Sequence, residues 1–138
     1  VSETGEIAAF YAARLDEEEA LAKAAGGGEW RTECTCGAGD CRGYPGCERI
    51  TGEDITIYPE GGHDCDQAGY IAANDPKSTL ASAAADRAIL ARYEALRHPS
   101  SLSDRLMFPS LAEVVLACIR DRAARFSAHP DYRAEWKP

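Results

Sequence analysis

The sequence predicts an α+β domain: a small antiparallel sheet with a metal-stapled loop, packed against two long helices and an N-terminal helix. Three observations carry that expectation. Helix punctuation is clear on both sides of the middle, where Gly26, Gly27 and Gly28 stop one apolar-periodic run and Asp75 with Pro76 starts another. Over 29–66, glycine, proline and cysteine rise, helical periodicity vanishes, and short alternating runs replace it. Into the same segment crowd Cys34, Cys36, Cys41, Cys47, His63 and Cys65.

The first helix is expected over 4–25, with Ser2 or Thr4 as N-cap and Ile7, Phe10, Tyr11 and Leu15 on its apolar side. Asp16, Glu17, Glu18 and Glu19 form a solvated acidic turn, because consecutive helical side chains point in different directions and cannot converge on one cation. Two or three short antiparallel strands follow. Trp30 alternates with Thr32, and Ile55 and Ile57 alternate with Thr56 and Tyr58. A tight hairpin over Thr51–Asp54 is expected to place Gly52 at positive φ, and the 34–47 stretch becomes a decorated strand connection.

Asp66 caps a short helix that breaks at Asn74. Asp75 then opens a long helix from Pro76 to Arg97, since proline has no N–H to waste in a first turn and the carboxylate accepts orphan backbone donors. Leu80, Ala84, Ala88, Ala91 and Ala95 define its faces, with Ile89, Tyr93 and Leu96 alongside. So much alanine leaves room for a homodimer through close helix approach. A loop is expected from Pro99 to Pro109, after which Ser110 and Glu113 read as a capping box for a last helix. On that helix Cys118 reads as a buried small hydrophobe. His98 and His129 each precede proline at a helix end and read either as cationic neighbours of the helix terminus or as exposed side chains, not as ligands. Tyr132 and Trp136, four apart, are expected to dock back on the domain.

Length and charge bound the function. At 138 residues the chain is of single-domain size; it divides into an acidic helix over 1–28, a Cys/His-rich region over 29–66 and a helical hairpin with docked tail over 67–138. The net charge of −8 is uneven: residues 1–66 hold 15 acids against 5 bases, whereas 67–138 hold 8 acids against 10 bases. An acidic face without a basic, aromatic-interleaved stripe argues against direct nucleic-acid binding and leaves a protein partner, or an acidic nucleic-acid mimic, as the alternatives. The longest apolar run, Val114 to Ile119, is far short of a bilayer span. Val1 to Gly5 lack the basic start and apolar core of a secretory signal, so the cytoplasm is the expected compartment.

That context, with short cysteine spacings, favours metal over disulfides or an iron–sulfur centre. Zinc takes four ligands of thiolate and imidazole, and six candidates are present: Cys34, Cys36, Cys41, Cys47, His63 and Cys65. Their gaps match no standard finger. One arrangement uses Cys36, Cys41 and Cys47 with Cys65 or His63; another uses Cys34, Cys36, Cys41 and Cys47. Either fills the coordination sphere and makes the zinc structural. A metal-dependent hydrolase would instead keep one position open and draw a base from Glu48, Asp64 or Asp66. No phosphate loop, nucleophile elbow or paired carboxylates on one helix face occur in the sequence.

Three stretches carry a resemblance: AAFYAARLDEEEALAKAAGGGEW at 8–30, YIAANDPKSTLASAAADRAILARYE at 70–94, and AARFSAHPDYRAEWKP at 123–138. They resemble a family of small actinobacterial and actinophage proteins, a domain of unknown function, whose pattern closes on His-Pro-Asp-Tyr with a late Glu and Trp. The middle stretch with Trp30 is also similar to early-region proteins of temperate phages. The resemblance implies an intracellular, often phage- or mobile-element-encoded accessory protein, and brings no activity or site residue with it. The cysteine cluster falls in the variable middle of that pattern, which makes it local reinforcement.

Overall fold

The computed structural model describes residues 3–34, 48–53, 55–57 and 65–138. Helix α1 is Glu3–Ala24; strands β1, β2 and β3 are Arg31–Cys34, Glu48–Thr51 and Thr56–Ile57; helices α2, α3 and α4 are Cys65–Ala73, Pro76–Arg97 and Leu102–Ala123. The fold is α+β, with the strands in the antiparallel order β1-β2-β3. Two units make up the chain, residues 1–17 with 83–138, and residues 18–82.

The glycine stop on α1 forms as the sequence predicts. Gly26 and Gly27 take φ of +97° and +69°, and their N–H groups return to the carbonyls of Lys23 and Ala22 at 3.0 and 2.9 Å. Helix α3 begins at Pro76 as its cap requires: the Ser78 N–H donates to the Asp75 carboxylate at 2.6 Å, and the Thr79 hydroxyl donates to the Asp75 carbonyl at 3.0 Å. Helix α2 ends where Asn74 turns its side-chain amide back to the Tyr70 carbonyl at 2.8 Å.

In residues 18–82, α2 packs on β1 and β2, and Ala22, Ile50 and Ala68 are buried. The register pairs Ile50 with Ile57 and Glu33 with Arg49. The Arg49 guanidinium, 2.7 Å from Glu33, holds that carboxyl below its usual range. Gly52 closes the β2–β3 turn by donating its N–H to Ile55 at 2.8 Å, but its φ is not positive. Glycine is needed there for space: a Cβ would stand 2.7 Å from Trp30 Cδ1 and 3.0 Å from Ile55 Cγ2.

The other unit holds the main core. Ile7, Phe10, Tyr11 and Leu15 of α1 pack with Ala83 and Tyr93 of α3, Leu116, Ile119 and Ala123 of α4, and Trp136 of the tail. The inward face of α3 runs through Ala83, Asp86 and Tyr93, whereas Ala84, Ala88, Ala91 and Ala95, expected to define the packing faces, are exposed.

Helix α4 departs most from expectation. It starts eight residues before the predicted Ser110 cap, because Ser101 forms a capping box with Asp104: the Asp104 N–H donates to Ser101 Oγ at 3.0 Å and the Ser101 N–H to the Asp104 carboxylate at 3.1 Å. The segment read as a loop over 99–109 is therefore mostly helix, and Pro109 lies inside it. Pro109 has no N–H for the Arg105 carbonyl, a loss tolerated where the helix is open to solvent.

Candidate functional site

Of the six candidate ligands, Cys36, Cys41, Cys47 and His63 lie outside the described residues. Cys34 closes β1, paired in register with Glu48, and Cys65 opens α2, which packs against β1 and β2. Ser2, Asp54, Tyr58 and Asp64 also fall outside the described residues, and Asp66 stands in the first turn of α2. Among the described residues no three histidines, cysteines or acids gather as a metal would need. The acidic turn behaves as its geometry dictates: Asp16 pairs with Arg87, Glu17 with Arg14 and Glu19 with Lys23, each acid drawn to a different base.

Cys118 is exposed rather than buried. The Val114 to Ile119 run looks continuous in sequence, but only Leu116, Ile119 and Ala123 of α4 are buried, with Ala112 and Val115 packed beside them. Cys118 lies roughly 100° round the helix from Ile119, outside that buried stripe.

Three buried polar residues organise the described structure, and sequence reasoning named only one of them. Asp75 caps α3 and at the same time accepts the Trp30 N–H at 2.9 Å. Burial works to raise its carboxyl, but the N–H groups of Ser78 and Trp30 outweigh burial and hold it below the usual range. Asp86 is fully buried on α3 and pairs with Arg122 and, at 3.3 Å, with Arg125. Burial pushes the Tyr11 phenol far above its ordinary range, with the nearby Asp86 carboxylate adding to the effect and Arg125 opposing it. The Tyr11 hydroxyl faces Asp86 without the geometry of a full hydrogen bond. An acid three residues from Ala83 and four from Leu90, inside an alanine-rich helix, was the signal available in the sequence.

Arg14 is the third, buried against the tail. It lies 2.8 Å from His129 Nδ1, 2.8 Å from Glu17 and over the Phe10 ring at 5.2 Å. The contact makes His129 a docking residue for the tail, where the sequence offered a neighbour of the helix end or an exposed side chain. Around Phe10 gather His129 and Tyr132, both with ring centroids at 5.7 Å, and Trp136 at 5.2 Å. Arg133 adds a 2.6 Å pair to Glu6. The closing His-Pro-Asp-Tyr and Trp pattern thus works as a clasp on α1, and Trp136 is buried as the sequence predicts. His98 is exposed, 3.8 Å from Glu94.

The surface of α4 is the opposite case. Leu102, Leu106, Met107 and Val114 are 63–80% exposed and Leu111 46%. No helix among the described residues is long and apolar enough to cross a membrane.

These features define a small α+β protein in which, among the described residues, the buried charges are engaged by neighbouring groups and one helix leaves an apolar face in solvent. Residues 4–138 match the model of a family described as a family of unknown function, DUF6221, and the chain belongs to that family. No curated protein and no solved structure matches it.

Proposed function

We propose that this is a cytoplasmic, non-enzymatic accessory or regulatory protein, encoded by a phage or mobile element, that works through protein–protein contact and is stiffened in its middle by zinc. The observation that carries the interaction reading is the run of large apolar side chains on α4 left in solvent, since soluble monomers rarely leave such a face open without a binding role. The ionisable groups that converge inside the protein support a non-catalytic role: Asp86 with Arg122 and Arg125, and Arg14 with His129, are engaged with each other. Acids paired one by one to their own bases also differ from the continuous negative strip of a nucleic-acid mimic.

The zinc reading rests on donor chemistry. Cys34, Cys36, Cys41, Cys47, His63 and Cys65 offer soft thiolates and one imidazole, the set zinc prefers, and four of the six fill a structural site. Two of them sit at the ends of elements that pack together, Cys34 on β1 and Cys65 on α2. Metal analysis with thiol counting on protein purified under reducing conditions should return about one zinc per chain, with four donors protected until a chelator is added. Substoichiometric metal with freely reactive thiols would sink the zinc assignment. An interaction role predicts in addition that immobilised wild-type protein retains a host protein that a Val114→Lys variant does not.

A further inference from the structure

Within residues 18–82, an open cleft of about 210 Å³ lies between the end of α1 and the start of α3. Leu21, Ala22, Ala25, Trp30 and Pro76 give it apolar walls, and Leu21 is 72% exposed there. That volume is below the range of pockets that enclose a drug-sized ligand and suits one long side chain.

The polar chemistry of the cleft is one-sided. Among the described residues that line it, Glu18 alone is ionisable. A helix start ordinarily offers N–H groups to an anion, but here they are spent: Pro76 has none, and those of Lys77, Ser78 and Thr79 go to the Gly28 carbonyl, the Asp75 carboxylate and the Asp75 carbonyl. The Thr79 hydroxyl donates to the same carbonyl, and the Asn74 side-chain amide donates to Tyr70. The indole N–H of Trp30 belongs to the ring edge turned toward Gly52. An occupant therefore meets chiefly acceptors: the Glu18 carboxylate, the Thr79 oxygen and the Trp30 ring.

Such a lining fits a group with donors, no acceptor and an apolar stem, which is the side chain of a basic residue. Arginine suits it better than lysine, because guanidinium stacks on aromatic faces and is more weakly hydrated. Charge favours the same occupant. Residues 18–82 hold 12 acids against 5 bases, whereas the other unit holds 11 against 10. Three of those five bases are already paired inside the unit, Lys23 with Glu19, Arg49 with Glu33 and Lys77 with Glu29.

We infer that this cleft binds an arginine side chain from a basic segment of a partner protein, with its stem against Leu21, Ala25 and Pro76 and its guanidinium between the Glu18 carboxylate and the Trp30 ring. The inference rests on the protein–protein reading above, names the chemistry of the partner, and uses no residue of α4.

NMR titration of the full chain with the capped peptide Gly-Arg-Gly-Arg-Gly tests it, read on the Trp30 indole and Leu21 methyl resonances. Both should shift together and saturate with a Kd of about a millimolar or tighter, and raised salt should weaken the binding. Counterparts with norleucine or glutamate in place of arginine should leave both resonances where they are. Glu18→Gln, which removes the charge, and Ala25→Phe, which fills the cleft from an exposed position, should each weaken binding about fivefold or more. Glu53→Gln makes the same change of net charge at an exposed position outside the cleft and should alter binding less than about twofold. Absence of saturable shifts with the arginine peptide, equal binding of the norleucine peptide, or an equal loss in Glu53→Gln overturns the proposal. Val114→Lys leaves the cleft intact and should bind the peptide as wild type does. If the peptide fails to bind while Val114→Lys still loses a host protein, the cleft is refuted and the interaction reading stands. If the peptide binds as described and wild type retains no host protein, the cleft stands and the reading of α4 falls.

Discussion

Asp86 and Asp75 are both buried acids, yet they answer to different physics. Asp86 is shielded from water on every side, while Arg122 and Arg125 keep parts of their side chains in solvent. Each arginine backs up the other. Arg122→Met or Arg125→Met alone should therefore cost little, whereas the double variant strands a buried carboxylate and should cost about 3–5 kcal/mol in urea unfolding. The excess over the sum of the single changes measures their coupling. Asp75 is held by N–H donors, and its folded pKa lies below its unfolded value near ~3.9. Its contribution is fully present above that unfolded value and is lost as pH falls through the folded one. Acid titration of stability should accordingly show a loss below about pH 4 that is smaller in Asp75→Asn, and identical slopes for the two proteins would contradict this role.

Among the elements, α4 shows what local signals can and cannot decide. Two Ser-x-x-acid boxes compete, Ser101 with Asp104 and Ser110 with Glu113, and Pro109 stands just ahead of the second, where it looks like a boundary. The helix begins at the first box and absorbs the proline. Because Pro109 is exposed and its only service there is a missing N–H, Pro109→Ala should stabilise the helix by about 1–3 kcal/mol, seen as a higher melting temperature and increased helical circular dichroism. A destabilised variant would mean that the helix needs the proline to set its course. By contrast, α3 was legible to the residue, since Asp75, Pro76, His98 and Pro99 all point to the same limits.

At the scale of the whole molecule, the α+β class and the short antiparallel strands were readable because glycine, proline and alternating isoleucines punctuate the chain locally. The tail was readable too, as Tyr132 and Trp136 share a spacing that puts both rings on Phe10. Burial was harder to read. Cys118 and the outer alanines of α3 sit in apolar surroundings in sequence, but which stripe turns inward depends on partners far along the chain, as it does for Asp86, whose arginines come from 36 and 39 residues away. The candidate metal ligands are a matter of composition alone, and their spacing admits more than one set of four.

One contact ties these scales together. The Trp30 N–H reaches Asp75 across 45 residues, so the cap of α3 also closes a loop that contains every cysteine except Cys118. Closing such a loop costs chain entropy that grows with the logarithm of its length, about 0.6 kcal/mol for each doubling. A cross-link of any chemistry inside residues 34–65 shortens the part of the chain still free to wander and lowers that cost. Helix initiation at Asp75 and reinforcement of the cysteine-rich segment then become thermodynamically coupled events, even though they share no atom.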